Sequence, residues 1–144
     1  KNLTRFLQAD SRRAVSDVHP PMQWSDTENV RWKTDLPGLG WSSPVVWGGR
    51  VFLTTVTADG DTAEPRKGLY IEDVDATKAG APKNAHHWWV YCLDLNTGDV
   101  VWKQEADSGP PEQTRHIKNT YASETPVTDG ERVYLSFLQA DFSC

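Results

Sequence analysis

The chain has 144 residues, and its hydrophobic content of 38% and charged content of 24% are those of one ordinary soluble domain, which excludes a wholly disordered or fibrous chain. Its 15 Lys and Arg against 20 Asp and Glu give a net charge of -5, so nucleic acid and anionic membrane surfaces, both of which need a basic face, are not expected as main partners. The longest uninterrupted apolar run, Trp88 to Leu93, is far too short for a membrane-spanning helix, and no transmembrane segment is expected.

Residues 1–29 show no sustained period of either kind and read as an irregular lead-in, with a short helical turn over Leu3 to Arg13 and a break at His19-Pro20-Pro21. The first residue is Lys and no charged-then-apolar leader follows, which points to a natural start that is processed or lies upstream. Alternation begins at Val30. Val30, Trp32, Thr34 and Leu36 face one way and Arg31, Lys33 and Asp35 the other, the period-2 pattern of a half-buried strand, ended by Pro37-Gly38. Further strands are expected over Ser43 to Trp47 and Arg50 to Thr57, joined at Gly48-Gly49, where two glycines supply the positive φ of a tight hairpin turn.

Residues 58–87 break the pattern with charges of both signs, Gly68, Gly80 and Pro82, and read as an insertion loop. Strands Trp88 to Leu95 and Asp99 to Glu105 form a second hairpin across Asn96-Thr97-Gly98. After a Pro-rich stretch at Gly109-Pro110-Pro111, Thr125 to Thr128, Asp129-Gly130 and Arg132 to Phe137 make a third, and Phe142-Ser143-Cys144 is placed to open a following strand. The seven Trp residues fall beside these runs, as large packing plates do in a sheet-rich protein.

The strongest signal is internal repetition. Residues 44–54, PVVWGGRVFLT, align without a gap to residues 126–136, PVTDGERVYLS, with six of eleven positions identical. Val30-Arg31-Trp32-Lys33 likewise matches Val100-Val101-Trp102-Lys103. In both copies a Val-x-Trp-Lys strand precedes a Pro-Val hairpin, and the copies differ by loop insertion, which is how repeat arrays vary.

The segment Cys92-Leu93-Asp94-Leu95-Asn96-Thr97-Gly98-Asp99-Val100-Val101-Trp102 has the form small-x-Asp-x-x-Thr-Gly-x-x-x-Trp. It resembles the tryptophan-docking repeat of the pyrroloquinoline-quinone-like β-propellers. Asp94 and Thr97 are suited to accept backbone N–H bonds in the turn, and Gly98 allows the reversal. The resemblance implies that Trp102, and Trp32 in the preceding copy, dock on the adjacent blade and bury roughly 150–250 Å² each when covered. Cys92 stands where the family usually has Ala and reads as a buried structural thiol. The resemblance covers most of residues 22–137.

The fold expected is therefore all-β: a partial β-propeller over residues 30–144, with one complete four-stranded blade flanked by parts of two neighbours. Its strands, from innermost to outermost, are Pro44 to Trp47, Arg50 to Thr57, Trp88 to Leu95 and Val100 to Glu105. A closed ring needs about 160–180 residues before insertions, so the chain reads as a piece of a longer propeller, with exposed edges that make it marginal or aggregation-prone alone.

Chemistry is weaker. His86-His87 and His116 invite a metal reading, helped by Asp59, Asp61, Glu72, Asp73 and Asp75, but no metal-ligand spacing is present and no metal site is expected. Ser42 and Ser43 with His116 lack a Gly-x-Ser-x-Gly elbow and a placed acid, so no catalytic residue is assigned. The loops entering the innermost strands of a propeller line the mouth of its channel. They hold Trp41, Ser42, His116, Asn119, Tyr121 and Glu124, the candidate residues for a protein, small-molecule or carbohydrate ligand.

The resemblance implies a periplasmic or secreted, non-catalytic binding or scaffolding module without a cofactor. The alternative is the N-terminal portion of a quinoprotein-type oxidoreductase, which alone would call for pyrroloquinoline quinone with calcium; no residue here matches the groups that hold them.

Overall fold

The long strand over residues 50–58 is built mainly from Val, Thr and Phe, and that over residues 86–94 carries Trp, Val and Tyr at its centre, while the chain reverses where Gly or Asp allows it. The structure, a computed structural model, describes residues 21–61, 80–116, 118–137 and, as backbone alone, 140–143. The turn expected over Leu3 to Arg13, the acidic residues Glu72, Asp73 and Asp75, and Cys144 lie outside the described residues. The described residues are all-β, with no helix.

Strands β1 (Val45–Trp47), β2 (Arg50–Ala58), β3 (His86–Asp94) and β4 (Val100–Gly109) form one antiparallel sheet in the order β1-β2-β3-β4. Strands β5 (Val127–Thr128), β6 (Val133–Phe137) and β7 (Ala140–Ser143) form a second, in the order β5-β6-β7. The position read as the opening of a further strand is thus occupied by β7, paired to β6 through Leu135↔Phe142.

The repeat is visible in the ladders. Val45 pairs with Phe52 and Val46 with Val51; the aligned residues Val127 and Thr128 pair with Tyr134 and Val133 in the same register. In the first hairpin Gly48 and Gly49 both take positive φ, 55° and 76°, the two-residue turn whose twist matches its strands. In the second, Asp129 stands at the position of Trp47, the last residue of β1, just before the turn. Its Oδ1 accepts the N–H groups of Glu131 and Arg132 at 2.9 and 2.8 Å.

Central strand β3 is covered on both faces, with Trp88, Val90, Tyr91, Cys92 and Leu93 all buried. One core lies where Val56, Trp88 and Val90 meet Val133, Leu135 and Phe137 of β6, with Tyr121 and Ala122 from the connecting segment. Each such side chain contributes roughly 1.5–3 kcal/mol by leaving water. The indole of Trp88 keeps its polar end satisfied by donating to the Tyr121 carbonyl at 2.8 Å. Strand β4 is the outer edge, largely exposed, and its pairing with β3 is interrupted by bulges between Trp88 and Trp89 and between Cys92 and Leu93. Such bulges and the charges of Lys103 and Glu105 discourage another strand from adding there.

Two elements depart from the sequence expectation. His86 and His87, assigned to the insertion loop, are the first residues of β3, because the ladder to β2 continues as far as Ala58↔His86. In residues 30–36, Trp32, Thr34 and Leu36 are half-buried and Arg31, Lys33 and Asp35 exposed, as the alternation requires, but Val30, expected on the inward face, is exposed, and the segment joins no ladder among the described residues. Side-chain contacts hold the segment instead. A backbone bridge follows only at Leu39, which exchanges hydrogen bonds with Val56 at 2.9 and 2.8 Å.

Candidate functional site

The repeat-motif residues converge on the turn between β3 and β4. Asp94 Oδ1 accepts the N–H groups of Asn96 at 2.8 Å and Thr97 at 3.3 Å, and its other oxygen accepts from the Arg50 guanidinium at 2.6 Å. The Asn96 amide and then the Thr97 amide and Arg50 hold the Asp94 carboxyl below the usual carboxylate range. Thr97 Oγ1 accepts the Asp99 N–H at 3.2 Å, and the Gly98 N–H donates to the Asp94 carbonyl at 2.9 Å.

Trp32 sits on this turn. Its indole N–H donates to the Leu95 carbonyl at 2.9 Å, and the ring covers Gly98 so closely that a Cβ there would lie 2.5 Å from two of its carbons. Gly98 also has φ 77°, so backbone conformation and space both demand glycine. Two neighbours reinforce the seat: Thr34 Oγ1 donates to the Gly98 carbonyl at 2.7 Å and Arg31 to Asn96 Oδ1 at 3.2 Å. Sequence reasoning singled out Trp32 and Gly98 but missed Arg31, Thr34 and Arg50; the alternation of residues 30–36 was the signal for Thr34. Trp102, at the position equivalent to Trp32, leans on Phe52 with ring centroids 6.1 Å apart and keeps 38% of its surface exposed.

The two loops that lead into β1 and β5 lie side by side. The Trp41 N–H donates to the Ala122 carbonyl at 3.0 Å, and the Ser43 N–H to Thr125 Oγ1 at 3.1 Å. Trp41 projects from this junction with 58% of its surface exposed. Ser42 turns inward, its hydroxyl accepting the Thr54 N–H at 3.1 Å, which ties the loop to β2.

Tyr121 belongs to the core. Its ring stands edge-on to His86 at 5.2 Å and to Trp88 at 6.5 Å, its hydroxyl donates to the Gln113 carbonyl at 3.0 Å, and burial pushes its phenol above the ordinary value. The half-buried Glu124 accepts the Ser123 N–H at 3.2 Å. His116 and Asn119 are exposed and share one turn: His116 Nδ1 accepts the Lys118 N–H at 3.2 Å, its carbonyl accepts the Asn119 N–H at 2.9 Å, and the Asn119 carbonyl accepts from Arg115. The structure thus gathers Trp41 and Glu124 on one loop junction, with His116 and Asn119 in the turn before it, and assigns Ser42 and Tyr121 to holding the loops in place.

Cys92 is buried in β3, and burial raises its thiol pKa, which disfavours the reactive thiolate. No helix among the described residues is long and apolar enough to cross a membrane. Comparison with protein-family models, with curated proteins and with solved structures finds no match.

Proposed function

We propose that the chain is part of a β-propeller of the pyrroloquinoline-quinone-like kind and acts as an extracytoplasmic binding or scaffolding module. The observation that carries this reading is the seat of Trp32, a strand tryptophan whose indole bonds the Leu95 carbonyl and covers Gly98 of an Asp-x-x-Thr-Gly turn. Supporting it, the two aligned hairpins share one register, and their first strands, β1 and β5, approach each other as the inner strands of neighbouring blades would. On this reading β1 to β4 are one blade, β5 to β7 begin the next, and residues 30–36 are the outer strand of the one before.

An experimental structure of the complete protein tests the architecture: sheets arranged radially about a channel are expected, and a face-to-face sandwich would overturn it. The binding face is the loop junction. Trp41 offers an aromatic plate and Glu124, Asn119 and His116 polar groups around it, a combination suited to a carbohydrate or to a protein loop.

Substituting Trp41→Ala in the complete protein should leave the fold within about 0.5 kcal/mol of its stability, because the ring is largely exposed. It should weaken binding to an oligosaccharide panel or to a purified envelope partner at least tenfold. Undiminished binding would remove the loop junction from consideration. Reduction of a dye by alcohols or sugars on adding the quinone and calcium would instead favour the oxidoreductase alternative.

A further inference from the structure

We propose that His87 is a proton-operated clasp across the stem of the β2–β3 connection: as an imidazolium it holds the carboxylates of Asp59 and Glu105 together, and when it loses its proton it donates to only one of them. The ladder between β2 and β3 ends at Ala58↔His86, and Asp59 is the first residue beyond it. Three contacts close the stem there. The Asp59 N–H donates to the Ala85 carbonyl at 2.8 Å, the Asn84 side chain donates to the Asp59 carbonyl at 2.9 Å, and His87 reaches the Asp59 carboxylate.

The imidazole lies between an acid on β4 and one just beyond the end of β2. Its Nδ1 is 2.9 Å from Glu105 Oε1 on β4, and its Nε2 is 3.4 Å from Asp59 Oδ1 at the end of β2. A carboxylate only accepts hydrogen bonds, so serving both at once needs N–H on both ring nitrogens, which only the imidazolium has. A neutral ring must present a lone pair to one carboxylate, and the longer Asp59 contact is the one it gives up.

On the same face the ring of Trp89 stacks beside His87, with centroids 6.4 Å apart, and carries the Lys103 ammonium 4.9 Å from its own centroid. From β4 the described groups facing this cluster are therefore Glu105 and Lys103, and from the residue that follows β2, Asp59. The hydrogen bond to Glu105, and after it the contacts with Asp59, raise the His87 pKa above 6.5 against the opposing effect of desolvation, and the same bond lowers that of Glu105. The clasp is complete below the unfolded histidine pKa and is lost as pH rises through the folded one, and the Glu105 half of it fails again at low pH, as the pH falls through the lowered Glu105 pKa.

Two measurements on the chain test this. In an NMR titration of the histidine ring protons, with His87→Asn used for assignment, His87 should titrate above 6.5, and both Glu105→Gln and Asp59→Asn should lower that midpoint. Hydrogen exchange of the Asp59 amide, corrected for its intrinsic pH dependence, should lose at least about threefold in protection across the same midpoint, and this step should vanish in His87→Asn. A midpoint at or below 6.5, a midpoint unmoved by Asp59→Asn, or an Asp59 amide whose protection ignores the titration would each overturn the clasp. The second of these outcomes would reduce His87 to an ordinary ion-pair partner of Glu105.

Discussion

Trp32 and Trp102 stand in nearly the same local sequence, Val-Arg-Trp-Lys and Val-Val-Trp-Lys, and have opposite circumstances. Trp102 is paired into a ladder opposite Cys92 but leaves 38% of its surface exposed against Phe52; Trp32 has no ladder partner among the described residues, yet its ring and its N–H are both engaged by the turn at 94–98. The worth of each tryptophan is therefore set by what lies beneath it rather than by the strand that carries it.

The largest effect should come from the floor of the Trp32 seat. Replacing Gly98 by Ala puts a Cβ 2.5 Å from the Trp32 ring at a φ of 77°, so the ring must leave or the turn must deform. Chemical denaturation should show a loss of about 2–4 kcal/mol. Removing the ring instead, with Trp32→Ala, should cost about 2–3 kcal/mol, less than a fully buried tryptophan because the site is half-buried. The two losses should not add, since each empties the same seat. Additivity within about 0.3 kcal/mol would show that ring and glycine do not act together.

Trp102→Ala then sharpens the comparison. In this chain, where the ring leans on Phe52 and keeps 38% of its surface exposed, the loss should be about 1–2 kcal/mol. In the complete protein the propeller reading expects about 3–5 kcal/mol, the cost of deleting a covered tryptophan. Equal losses in the two settings would leave Trp102 without a dock and weaken the proposed architecture.

How much of this was legible in the sequence differs by element for physical reasons. The hairpins were, because Gly48-Gly49 and Asp129-Gly130 mark reversals that few other residues tolerate, and the register of the second follows from the first by alignment. The burial alternation of residues 31–36 was also readable, though not its first member Val30, which is exposed, and ladder formation was not, since pairing depends on a partner strand rather than on the strand's own pattern. His86 and His87 were misplaced because their polarity resembles the loop before them. In the fold His86 is buried, with Nδ1 3.0 Å from the Asn84 carbonyl, and His87 is held by two acids, contacts that no local rule foretells. Tyr121 was read as a loop residue for the same reason: its segment is irregular, yet it packs between β3 and β6.

The smallest effect concerns the two aspartate turns, and it separates them. Asp94 accepts one short and one long backbone bond and an arginine that is itself substantially exposed, whereas Asp129 accepts two short backbone bonds and the Tyr134 hydroxyl at 3.0 Å. The Arg132 and Glu131 amides lead in lowering the Asp129 carboxyl to about 2, while at Asp94 the Asn96 amide leads and the exposed Arg50 guanidinium, screened by solvent, adds after the Thr97 amide. Both folded values lie below the unfolded one, so both turns contribute stability above the ordinary carboxylate range and lose it as pH falls. Melting temperature followed from about pH 5 to pH 2 should therefore drop, and Asp129→Asn should flatten the drop more than Asp94→Asn, since the amide oxygen of Asn still accepts the backbone N–H groups but carries no charge to titrate. A profile flattened more by Asp94→Asn would mean that Arg50, and not the backbone of the turn, is what the carboxylate answers to.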